Sequence, residues 1–68
     1  HTLGYCTATD AANLKAVAYG TVPTSGDFTA MSTNPATITV TSGHTVCRVV
    51  ELDKDGKAVA YGDALINL

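Results

Sequence analysis

Polar and apolar positions alternate with period two over much of the chain. Between residues 36 and 41 Thr37, Thr39 and Thr41 fall on one side and Ile38 and Val40 on the other, the pattern of a half-buried strand. The same reading places strands at about residues 2–9, 15–22, 27–31, 44–53 and 57–62, with a tail strand at 64–68. Thr24-Ser25-Gly26-Asp27 and Thr41-Ser42-Gly43-His44 are turn signals, because Gly supplies the left-handed backbone and the short polar side chains bond locally. Pro23 and Pro35 stand before or at the start of strands, where a missing N–H is tolerated. About seven short strands with turns every eight to twelve residues predict an all-β fold, a small antiparallel sandwich or partly open barrel, in one domain over residues 1–68.

One repeat stands out. Lys-Ala-Val-Ala-Tyr-Gly occurs at residues 15–20 and again at 57–62, and self-similarity of this kind marks related units. Cys6 followed by Asp10-Ala11-Ala12-Asn13 leads into the first copy, and Cys47 followed by Asp53-Lys54-Asp55-Gly56 into the second. Asp opens each turn, and Asn13 or Gly56, both tolerant of the left-handed region, closes it. Two related β-hairpins are therefore expected. Val17 and Tyr19 share one face of the first copy and Val59 and Tyr61 one face of the second. That bulky face is the expected core side, while Ala16, Ala18, Ala58 and Ala60 form a thin face suited to a close-packed neighbour.

Composition sharpens the class. Eleven Thr, ten Ala and seven Val against one Glu and one Arg favour strand over helix. The formal charge of −2 gives no basic patch for nucleic acid or anionic lipid. No apolar run approaches the roughly 18 residues of a membrane span. Only 15% of residues are charged and 46% are hydrophobic, which is too apolar for disorder and sparse in charge for an isolated monomer. Because residue 1 is His, an upstream piece is taken to have been removed, and a cleaved leader would imply export.

Two cysteines, Cys6 and Cys47, are the candidate disulfide, within the chain or between subunits. Their spacing lacks the CxxC pattern of a zinc site. His1 with His44 offers the amine and imidazole nitrogens of a copper site, but no sequence feature brings His44 to the terminus. Asp53-Lys54-Asp55-Gly56 resembles the start of a calcium loop but lacks the further acidic ligands such a loop needs, and no metal or cofactor is expected. Thr, Ser and His residues occur without a nucleophile motif, so neither an enzyme nor a small-molecule substrate is expected. Tyr5, Tyr19, Tyr61 and Phe28 read as core rather than a stacking platform.

Natural edge strands carry Lys, Pro or bulges, yet residues 1–9 contain no Asp, Glu, Lys or Arg and residues 64–68 contain none. Thr2, Leu3, Tyr5, Leu65, Ile66 and Leu68 are the candidate assembly residues. The expectation is a non-enzymatic structural subunit of an extracellular filament, a pilus-like fibre or another surface assembly, joined by β-strand pairing to copies of itself or to another structural subunit. The alternatives are a capsid or tail decoration protein of a virion and a small secreted binding module or enzyme inhibitor. The expected location is secreted or cell surface, or alternatively the virion surface.

Overall fold

A computed structural model of the chain describes residues 1–31 and 38–66. It is all-β: β1 (Thr2–Ala8), a 3-10 turn (Ala11–Asn13), β2 (Thr29–Met31), β3 (Val46–Leu52) and β4 (Ala58–Leu65). The strands form one open antiparallel sheet in the order β2-β1-β3-β4. Among the described residues there are four strands, not seven, and one sheet rather than two layers of a sandwich. Residues 15–22 and 38–41 are not strand, and Ala64 and Leu65 complete β4 instead of starting a tail strand. Pro35 and residues 36–37 and 67–68 lie outside the described residues.

The second expected hairpin is present. Asp53 N–H donates to Lys57 O at 2.9 Å, Gly56 N–H to Asp53 O at 3.0 Å, and Asp53 Oδ1 accepts from the N–H groups of Asp55 and Lys57. Gly56 takes φ 81°, the left-handed turn residue that brings the chain back. The first expected hairpin is absent for the corresponding reason. Among the described residues no non-Gly residue has positive φ, so Asn13 does not reverse the chain as Gly56 does. Asp10 instead caps the 3-10 turn, its side chain accepting from Asn13 N–H at 3.2 Å, a local bond that competes with strand pairing.

The chain after β1 crosses one face of the sheet. Leu14 is buried there, Lys15 O accepts from Arg48 Nη1 at 2.8 Å, Tyr19 meets Tyr61 and Val22 approaches Gly56. Phe28 then packs against Gly4, where a Cβ would stand 3.2 Å from the Phe28 Cβ. This route delivers β2 to the side of β1 away from β3. The register Gly4↔Val50, Cys6↔Arg48 and Ala8↔Val46 puts these side chains on that covered face. Ala8, Leu14, Val50 and Ala58 are the buried apolar residues, Val50 fully. On the other face Tyr5 Oη accepts from Thr39 N–H at 3.2 Å and Thr7 Oγ1 shares a 2.6 Å hydrogen bond with His44 Nδ1.

The repeat is not structurally equivalent. In its first copy Gly20 has φ 78° and Thr21 N–H donates to Ala18 O at 3.2 Å, closing a turn. In its second copy Gly62 is paired with Val49 within β4. The residues after each copy decide the outcome: Asp63-Ala64-Leu65 continues the ladder with β3, whereas Thr21-Val22-Pro23 leads to a residue without an N–H. The bulky residues are not buried as expected. Ala58 is buried, while Val59 and Tyr61 are each 42% exposed: the register shift beside Glu51/Leu52 makes Val59 the extra residue of a bulge, and Tyr61, opposite Val50 on the covered face, stands on the outer strand.

Candidate assembly edge

β4 is an outer strand of the sheet, and its free side can be read from its bonds. Ile66 N–H donates to Thr45 O at 2.8 Å, which turns residue 66 toward β3. Antiparallel alternation then turns Ala60, Gly62 and Ala64 toward β3 and the backbone groups of Tyr61, Asp63 and Leu65 outward. At the other end Gly20 N–H donates to Ala58 O and Ala58 N–H to Thr21 O, both at 2.8 Å, closing the edge at Ala58. Among the described residues no other backbone bond reaches the outward groups of residues 61–65. The opposite outer strand, β2, has three residues, and a short edge offers little to a partner.

The side chains along β4 are anchored from β3. Arg48 donates through Nε to Asp63 Oδ1 at 2.7 Å and through Nη2 to Asp63 Oδ2 at 2.9 Å, a fork-to-fork pair. Its guanidinium also lies 4.7 Å from the Tyr61 ring centroid, a cation–π distance. The hydrogen bond from Arg48 holds the Asp63 carboxyl below its ordinary 3.8, and the bond to Asp63 raises the Arg48 guanidinium further above its ordinary value. Asp63 is thus neutralised within its own chain. Leu65 at the end of the edge is 82% exposed. Behind the edge Leu3, Val49, Ala60 and Gly62 line a shallow apolar groove.

The assembly residues read from the sequence are distributed differently from expectation. Leu3 and Tyr5 pair with both β2 and β3, so β1 is an inner strand over this stretch rather than a free edge. Thr2 pairs with Leu52 of β3, Leu65 stands on the outer edge and Ile66 is bonded to Thr45. Leu68 lies outside the described residues. Val59, Tyr61 and Asp63 complete the edge and escape the sequence reading, because residues 57–62 read as one arm of a duplicated unit with its bulky side in the core. The signal that points to them is the absence of Lys, Arg and Pro after Lys57.

Cys6 and Cys47 are not bonded to each other. Cys6 pairs with Arg48 and Cys47 with Thr7, one step out of register, so their side chains leave opposite faces of the sheet. The expected bond within the chain is therefore corrected. His1 pairs with Glu51 near one end of β1, and His44 with Thr7 near the other. About 20 Å of strand at roughly 3.3 Å per residue separates these anchors, so the two imidazoles form no shared site. Among the described residues no group of three or more His, Cys, Asp or Glu side chains is placed to hold a metal, and no helix is long and apolar enough to cross a membrane.

Comparison with protein-family models, with curated proteins and with solved structures gave no match.

Proposed function

We propose that the chain is a non-enzymatic structural subunit of an extracellular filament, a pilus-like fibre or another surface assembly, joined to its neighbours by β-strand pairing. The observation that carries this reading is the outer side of β4: outward backbone groups at Tyr61, Asp63 and Leu65 with an exposed Leu at its end. Beyond the bulge at Val59 the edge carries no Lys or Pro, and such a stretch is a template for another strand. The core supports the same reading, since Val50 is the only large side chain among the described residues that is fully buried, and a small core gains from burial against a neighbour. The surface location rests on the Thr-rich, charge-poor composition, not on a disulfide.

Sedimentation and negative-stain microscopy of the native protein test it. Assemblies larger than one chain, suppressed by Leu65→Lys while the far-UV spectrum is kept, are the expected result. A single-chain species at all concentrations, alone and mixed with extract of its source, would overturn the reading.

A further inference from the structure

Residues 15–19 are tethered to β4 at both ends and pair with no strand between. At one end Gly20 N–H donates to Ala58 O and Ala58 N–H to Thr21 O. Two residues thus stand against one, with Gly20 at φ 78°, the pattern of a glycine bulge between antiparallel strands. At the other end Leu14 lines a groove with Asp63, Ala64 and Leu65. Residues 15–18 are not strand and lie over the covered face, with Lys15 O accepting from Arg48 and Tyr19 against Tyr61. We infer that this segment is a strap that swings from the face onto the outer side of β4 as a fifth, antiparallel strand and so withholds the edge from a neighbour. As control of that edge the inference rests on the assembly reading above; the closure itself does not.

The two tethers fix the register. Gly20 turns its N–H to β4, so alternation turns Ala18 and Ala16 the same way in an extended strap, toward the outward groups of Tyr61 and Asp63. From Leu14 to Gly20 is six steps along the chain. From Leu65 back to Ala58 is seven, one of them taken up by the bulge at Val59. Ala18 therefore exchanges backbone bonds with Tyr61 and Ala16 with Asp63, while Leu14 stays beside Leu65. A shift of one residue turns the backbone groups of the strap away from the edge, and a shift of two pulls Gly20 off Ala58.

The side chains agree. Residues opposite each other share a face, so Ala16 and Ala18 join the face that Tyr61, Asp63 and Arg48 already fill. On the other face Val17 stands opposite Gly62 and Lys15 opposite Ala64, and there a Cβ built on Gly62 meets nothing within 4 Å. Thin positions of one copy of the repeat thus meet bulky positions of the other on one face, and bulky meet thin on the other. Closure releases few contacts. Thr21 N–H and Oγ1–H leave Ala18 O, Tyr19 leaves Tyr61, and Arg48 leaves Lys15 O while keeping Asp63. Gly20 is the hinge, because Gly passes between left-handed and extended backbone without a steric penalty.

Val17→Cys with Gly62→Cys in a Cys6→Ser, Cys47→Ser background tests the strap. With the strap on the covered face, residue 17 lies on that side while residue 62, paired with Val49, turns to the other. Only closure makes them a non-hydrogen-bonded pair within the roughly 7 Å between Cα atoms that a disulfide needs. Mild oxidation at high dilution should give a bond within the chain, roughly tenfold or more above Ala16→Cys with Gly62→Cys, because cross-linking follows effective concentration. Lys15→Cys with Ala64→Cys, the next such pair, keeps the test sound where Gly62→Cys disturbs folding. The oxidised protein should lose the assembly that the reduced form of the same variant shows. A bond from both pairs no greater than from the Ala16→Cys control would overturn the strap, whatever the unaltered chain does in sedimentation. A bond that forms in a chain that never assembles would overturn the assembly reading and leave the strap as the cover of its own edge. A bond that forms with assembly unchanged would overturn the control of assembly.

Discussion

The rings of Tyr19 and Tyr61, the same residue in the two copies of the repeat, lie 5.8 Å apart and tilted by 36°. The copies therefore touch each other rather than occupying matched places. Tyr61 is held from below by Arg48, and Tyr19 rests against it just before the turn whose Gly20 and Thr21 bond to Ala58. One aromatic contact thus helps to fix where the crossing segment ends and where the free edge of β4 begins.

Tyr19→Ala should loosen that clamp. Aromatic pairs contribute about 0.5–1.5 kcal/mol beyond buried area, and with Tyr19 62% exposed the loss should fall at the low end. The more direct sign is local: amide hydrogen exchange at Gly20 and Ala58 should accelerate more than at Val50. Equal acceleration throughout the sheet would mean that the contact contributes only to global stability.

Gly4 is the tightest glycine in the sheet. Its missing Cβ would stand 3.2 Å from the Phe28 Cβ and 3.4 Å from Thr29 O, and the crossing segment has no freedom to retreat without moving β2. Gly4→Ala should destabilise the fold by about 1–3 kcal/mol through overpacking, measured by urea denaturation. Gly62→Ala, with open space around it, should change the stability of the single chain little.

The Arg48–Asp63 pair predicts an acid dependence. The native carboxyl lies below its ordinary 3.8, so its contribution is fully present above that value and is lost as pH falls through the native value. Both partners are near the surface, so Asp63→Asn should cost about 0.5–1 kcal/mol at neutral pH. The difference between the variant and the unaltered chain should narrow as the pH falls below the ordinary carboxyl value and the native carboxyl takes up its proton. A constant difference across that range would mean that Asp63 acts by packing and not by charge.

The all-β class, the β3–β4 hairpin and the turns at Gly26 and Gly43 were legible from residue types, because Gly with positive φ and Asp with a local backbone bond act over a few positions. Asp27 N–H to Thr24 O and His44 N–H to Thr41 O, both at 3.0 Å, close those turns. The features that were not legible depend on distant partners. The same hexapeptide bends at Gly20 and extends at Gly62 because only the second copy runs on into residues that pair with β3. The inner position of β1 follows from a crossing segment that reads locally as strand. Thr2, Leu3 and Tyr5 consequently looked like an edge, and truncating residues 1–5 should unfold the sheet rather than only prevent assembly.

The cysteines give the last test. A bond within the chain would close a loop of roughly forty residues and contribute about 3–4 kcal/mol in the chain-entropy model. At roughly 4–8 °C per kcal/mol for a domain of this size, reduction of such a bond would lower Tm by well over 10 °C. With Cys6 and Cys47 on opposite faces, forming that bond requires a one-residue slip of β1 against β3, which would also turn Ala8, buried in β1, to the other face. Reductant should therefore leave the Tm of the single chain unchanged, and each chain should yield two titratable thiols under denaturing, non-reducing conditions. A large fall in Tm on reduction, with a fast-migrating species on non-reducing gels, would show that the β1–β3 register is shifted by one residue. A ladder of covalent multimers without that fall would place the bond between subunits and leave the register as described.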